Sequence, residues 1–116
     1  MQLELKKYLF DVRQACARIG EFTAGKTLTD YSTDPMLRSA VERQFEIVGE
    51  ALNRIAKVSD STAERISDHR RIIAFRNILV HAYAQIDDRL VFGVVEANLP
   101  TLTAEVETLL EEGESR

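Results

Sequence analysis

A single cysteine, Cys16, excludes an internal disulfide. It shares one helical stripe with Val12, Ile19 and Phe22, which reads as a buried, inert thiol rather than a nucleophile. The two histidines, His69 and His81, stand twelve residues apart, and no Cys/His spacing of the zinc type surrounds either. No metal site is therefore expected. No apolar run approaches the ~20 residues that a membrane helix requires. The opening MQLELKKYLF lacks the small-residue cleavage site of a signal peptide, so the chain is expected to remain in the cytosol. Basic charge is also in short supply. Fifteen Lys and Arg face nineteen Asp and Glu, a net charge of −4. That balance excludes a broad, non-specific grip on nucleic acid, which needs a basic surface, but leaves room for a small basic cleft. The charges are unevenly spread. Residues 65–76 carry Arg65, Arg70, Arg71 and Arg76 against Asp68, whereas residues 96–116 carry six Glu and one Arg.

No internal repeat, linker or strand pattern interrupts the chain, and 116 residues suit one domain with an acidic tail from about residue 112. The apolar residues step by three and four almost throughout. Leu5, Leu9, Val12, Ala15, Cys16 and Ile19 define a first helix over 3–24, stopped by Gly25. A loop rich in Thr, Ser and Asp is expected over 26–33. Asp34-Pro35 is an N-cap followed by proline at the first helical position. The second helix then runs to about Lys57. Its wide apolar arc, with Leu37, Val41, Phe45, Val48, Leu52 and Ile55 as the main face, implies burial on more than one side. Residues 59–67 form a polar connection with room for one helical turn. A third long helix is expected over 69–84, enclosed by Ile72, Ile73, Phe75, Ile78, Leu79 and Val80 and hence central. His69 reads as surface or helix-start decoration. Asp87 or Asp88 caps the next helix, Pro100 ends or kinks it at Leu99, and a last segment is built on Leu102, Val106, Leu109 and Leu110. The fold class is all-α, an up-down antiparallel helical bundle.

Within that pattern one stretch is out of keeping: Arg76-Asn77-Ile78-Leu79-Val80-His81-Ala82-Tyr83. An apolar helix loses free energy by carrying a guanidinium and an imidazole unless something pairs with them. Arginine is a permanent cation whose planar fork suits phosphate, and histidine exchanges protons near neutral pH. Metal-free RNA cleavage needs those two abilities. A 2′-hydroxyl must lose a proton, a 5′-oxygen must gain one, and charge on the phosphoryl oxygens must be offset. Arg76, His81 and a polar helper, Asn77, would be a minimal set. On an ideal helix Asn77 and His81 lie on nearly one line, while Arg76 and His81 are ~140° apart. A symmetric dimer would bring two Arg and two His into one cleft, so dimerisation belongs to the site hypothesis. Structural readings stand beside this one. His81 could be a satisfied core residue, Tyr83 could place its ring in the core, and Arg76 could pair with Glu42, Glu46 or Glu50 of the second helix.

The segment RNILVHAY, with its Arg-x4-His-x-Tyr spacing, resembles the HepT-like branch of the HEPN superfamily. VERQFEIVGEAL (residues 41–52) is similar to that branch's second helix, YLFDVRQACARIGEFTAG to its first, and NLPTLTAEVETLL to its close. The resemblance spans roughly residues 3–112. It implies a homodimeric helical bundle with the signature at the dimer cleft, acting as a metal-independent endoribonuclease toxin. Arg76 and His81 match the catalytic pair, and Asn77 the polar residue after the arginine. Tyr83 matches the tyrosine that a partner antitoxin, a minimal nucleotidyltransferase of the MntA type, modifies with AMP. The partners so implied are RNA, that antitoxin and a second copy of the chain, with a larger hetero-oligomer as an extension. The antitoxin would need ATP and magnesium; this chain would need no cofactor. The alternatives are a non-catalytic nucleotide- or substrate-binding subunit of the transferase complex, and a plain interaction module.

Overall fold

The computed structural model describes residues 1–81 and 86–114. Among them are seven helices and no strand: α1 (Leu3–Thr23), α2 (Leu28–Thr33), α3 (Pro35–Val58), α4 (Asp60–Glu64), α5 (His69–His81), α6 (Asp88–Ala97) and α7 (Leu99–Glu114). The all-α expectation holds. The helix ends follow local chemistry. Asp34 Oδ1 accepts the N–H groups of Met36 at 3.1 Å and Leu37 at 3.2 Å, which satisfies donors that the first turn leaves open. Asp87 does the same for α6, accepting from Arg89 N at 2.9 Å. Gly25, just past α1, adopts φ +73°, a conformation that favours glycine. The helix is interrupted at Asn98, and Pro100 falls in the first turn of α7, where its missing N–H costs nothing.

α1 and α3 form the central pair, α5 packs on α3, and α7 packs on α1. The directions alternate. Tyr8 near the start of α1 meets Arg54 near the end of α3, and Met1 lies against Gly113 at the end of α7. One hydrophobic cluster runs through the bundle, with Leu9, Val12, Ile19, Val41, Val48, Ile55 and Val106 wholly removed from solvent. Phe45 and Phe75 join α3 to α5 edge to face, ring centres 5.4 Å apart, a contact worth about 0.5–1.5 kcal/mol beyond the area it buries.

Three details differ from the sequence expectations. The segment expected as a loop contains α2. Thr27 accepts from Asp30 N at 3.1 Å while Asp30 accepts from Thr27 N at 2.9 Å, a reciprocal capping box. The helix then buries Tyr31 completely against Phe92, ring centres 5.5 Å apart. His69 does start α5, but it is buried rather than a surface decoration, its Nδ1 lying 3.2 Å from the carbonyl of Ile66. Last, α5 is not enclosed. Among the described residues its main packing is on α3, and Ile78 keeps 49% and Val80 38% of their surface exposed. The expected continuation of this helix to residue 84 lies outside the described residues.

Candidate functional site

The residues singled out by composition sit on α5, and the packing of that helix decides where each one points. Its inward stripe is His69, Ile72, Phe75 and Leu79. At 100° per residue Arg76 comes next to that stripe, on the side of α3. Close approach there depends on Gly49. A Cβ at that position would lie 2.2 Å from Arg76 Cβ and 2.6 Å from its Cγ. Only a hydrogen leaves room for the arginine stem.

The half-buried guanidinium of Arg76 is held at both tips. Nη1 donates to Asn77 Oδ1 at 2.9 Å and Nη2 donates to Glu50 Oε2 at 2.9 Å. Of the three candidate partners on α3, Glu50 is thus the one engaged. Its other oxygen accepts from Arg54 Nε at 3.1 Å. Arg54 in turn hydrogen-bonds Tyr8 and then Glu50, which together push its pKa above the ordinary arginine value, and Tyr8 donates to Glu4 at 2.9 Å. A polar ladder therefore crosses α1, α3 and α5. It floors a cleft of about 550 Å³ bordered by Lys7, Tyr8, Arg43, Arg54, Arg76 and Val80.

The outer face of α5 is different in kind. Asn77 and His81 lie one turn apart on it, both exposed, with Ile78 beside them. Arg76 and Asn77 are brought into contact; His81 stands on the Asn77 row, at the C-terminal end of the described helix. Tyr83 lies outside the described residues. Beside this row a second groove, about 380 Å³, runs between α5 and α6 and is lined by Phe75, Ile78, Leu90 and Val94.

The arginine-rich stretch before the signature is less cationic than its count suggests. Arg65 makes a two-point ion pair with Glu112 at 2.7 and 2.6 Å, and Arg70 pairs with Glu64 at 2.8 Å. Arg71 reaches Asp68 at 3.9 Å, and Arg76 has Glu50. Among the described residues no group of three or more His, Cys, Asp or Glu is placed to hold a metal ion. No described helix is long and apolar enough to cross a membrane. Cys16 is buried, and burial pushes its thiol up to about 11, against a smaller opposing hydrogen bond from Thr103.

Residues 12–109 match the family model described as ribonuclease HepT-like. The chain belongs to the HepT-like family. A relative from Methanocaldococcus jannaschii, provisionally named an RNase, is 30% identical over 106 residues, covering 90% of this chain and 94% of the relative. A Thermococcus cleftensis protein, provisionally named ribonuclease HepT, is 32% identical over 109 residues, covering 94% of this chain and 98% of its own. A second M. jannaschii relative, named gamma-glutamylcyclotransferase with a provisional RNase, is 30% identical, and the match takes in 97% of this chain but 50% of that protein. No solved structure matches the chain. Within this HepT-like chain, sequence reasoning passed over Gly49 and Arg54. The signal for Gly49 was available: a glycine inside a long, otherwise apolar-faced helix commonly marks close approach of another backbone.

Proposed function

We propose that this HepT-like chain is the toxin of a toxin–antitoxin pair, a metal-independent endoribonuclease that works in the cytosol as a homodimer. The observation that carries the reading is the arrangement on α5. A guanidinium is anchored beside an exposed Asn77–His81 row, in a chain whose family relatives are named as ribonucleases. In the proposed reaction one His81 takes the proton of the ribose 2′-hydroxyl. The 2′-oxygen attacks phosphorus, and the bond from phosphorus to the 5′-oxygen breaks. The departing oxygen takes a proton from the second copy's imidazole, leaving a 2′,3′-cyclic phosphate and a free 5′-hydroxyl. Arg76 offsets charge on the phosphoryl oxygens as it builds up, and Asn77 orients the phosphate. The exposed Ile78 and Leu90, flanking an apolar groove, support a second copy docking against α5.

Inhibition would come from an MntA-type nucleotidyltransferase. It moves AMP from ATP to the Tyr83 oxygen and releases pyrophosphate, so phosphate charge fills the RNA cleft. ATP and magnesium belong to that partner. One observation favours the second reading, a non-catalytic binding subunit of the transferase: the four arginines of residues 65–76 all have carboxylates within reach, which weakens any grip on RNA.

Purified protein and RNA in the presence of EDTA decide between them. The nuclease reading expects cleavage with cyclic phosphate ends. It also expects a fall of about 10²–10⁴-fold in His81→Ala, the usual range for removing a proton-transfer group, and a comparable fall in Arg76→Ala. Full cleavage by folded His81→Ala overturns the assignment, and no cleavage by the wild type leaves the binding-subunit reading.

A further inference from the structure

Arg76 does not hold itself in place. An arginine side chain has four rotatable bonds and ordinarily samples many rotamers, at a cost in order if it must act from one of them. Here the stem is fixed at its base, because Gly49 lets Cβ and Cγ of Arg76 press against α3. Among the described residues the buried Nε has no hydrogen-bond partner, so none of them anchors it there. The tip is fixed across the helix interface by Glu50 Oε2 at 2.9 Å. Glu50 is itself braced, since its second oxygen takes the Nε of Arg54 at 3.1 Å, and Arg54 is tied back to Tyr8 on α1.

We infer that Glu50 is the positioning residue for Arg76, a carboxylate on α3 that aims the guanidinium of α5 without touching RNA itself. The inference rests on the nuclease reading for its consequence, though not for its geometry. Three features separate it from a competitor that would block the arginine. Glu50 engages a single terminal nitrogen, and Asn77 engages the other. One hydrogen on each terminal nitrogen is thus left for a two-point grip on a phosphoryl group. The carboxylate sits between two guanidiniums, so the Arg54–Glu50–Arg76 set keeps a net positive charge. Without it, Arg54 and Arg76 would face each other as like charges and Arg76 would swing away. Gly49 and Glu50 are adjacent, so one turn of α3 supplies both the space for the arginine and its tether.

The test compares wild type, Glu50→Ala and Glu50→Gln. Each is assayed for cleavage of a short RNA in EDTA, and the Arg76 Nε–H is followed by nitrogen-15 NMR exchange. The expected result for Glu50→Ala is a fall in kcat of tenfold or more with KM within about twofold, alongside faster exchange of the Arg76 Nε–H with water. A fall in kcat without a change in KM is what lost aim produces, and a merely structural carboxylate would not give that split. Glu50→Gln keeps one acceptor oxygen and no charge, so it should fall in between; it also serves if the alanine variant does not fold. Unchanged or raised kcat in Glu50→Ala overturns the inference, the latter by showing a competitor. If the wild type cuts no RNA, the nuclease reading fails and the Nε–H exchange alone decides the positioning claim: faster exchange in the variants upholds it, and unchanged exchange overturns it.

Discussion

A hydrogen atom at position 49 sets how closely α5 lies on α3. Replacing Gly49 by alanine would normally help a helix interior by up to about 1 kcal/mol. Here the added carbon would meet Arg76 Cβ at 2.2 Å, an atom bound directly to the α5 backbone and unable to rotate away. Overpacking of that kind costs about 1–3 kcal/mol, so the clash should win, and Gly49→Ala is expected to lower the urea midpoint as α5 is pushed off. A rise in the midpoint would show that the helices separate at no cost. Glu42 offers a pH test. Burial raises its pKa above 4.5, the Asp88 carboxylate adds to this, and Arg38 opposes it. A carboxyl whose folded pKa is raised favours the folded state while protonated, and that contribution is lost as pH rises through the folded value. Glu42→Gln should therefore gain stability relative to wild type between pH 4 and pH 7; melting curves of both proteins at the two ends check the sign. What was legible at this scale was chemical type. Arg76, Asn77 and His81 stand out because charge and imidazole are costly on an oily helix. The choice of Glu50 over Glu42 and Glu46 was not legible, because all three lie on α3 and only the contact at Gly49 tells which turn meets Arg76.

Elements were legible where capping and periodicity agree and missed where composition argued against them. α1, α3 and α6 end within a residue or two of expectation because Gly25, Asp34 and Asp87 impose those ends through donors and φ angles. α2 was missed because Thr, Ser and Asp read as loop formers. Yet its signal was present in Thr27-Leu28-Thr29-Asp30, the capping-box spacing. The enclosure of α5 was misjudged for another reason: an all-round apolar helix implies cover, but not whether the cover comes from the same chain. A six-residue helix has too few internal bonds to persist alone, so α2 must depend on its cap and on Tyr31. Removing the cap with Thr27→Ala should cost about 1 kcal/mol. Tyr31→Phe should do the opposite. The hydroxyl is buried without a partner among the described residues, and burial, with Glu42 and Asp88 nearby, holds it strongly protonated. Deleting an unsatisfied buried hydroxyl while keeping the ring against Phe92 should leave stability unchanged or raise it by about 1 kcal/mol. Equilibrium urea unfolding of the two variants tests the pair, and a large loss in Tyr31→Phe would mean that the hydroxyl has a partner in solution.

The whole molecule is a slab. The described residues extend 46 × 28 × 19 Å, so the thin dimension holds two helix layers of about 10 Å each. In two layers an outer helix can have one side without cover, and for α5 that side carries Ile78 at 49% exposure, facing Leu90 at 47% across the α5–α6 groove. A second copy is the proposed cover, since a two-fold axis along this face would place two Asn77–His81 rows together. Glutamate at position 78 separates that idea from a role within the subunit. Ile78 is half exposed in the single chain, so Ile78→Glu should change subunit stability by no more than about 0.5 kcal/mol, the usual span for surface sites. At a dimer interface, however, it would place two like charges across an axis in an apolar setting, and dissociation should follow. Sedimentation equilibrium is expected to show wild type shifting from monomer to dimer with concentration and Ile78→Glu remaining monomeric, with RNA cleavage falling in step with the dimer fraction. Wild type that cleaves RNA as a monomer at every concentration would remove the two-fold site, and the proton given to the 5′-oxygen would then have to come from within one chain.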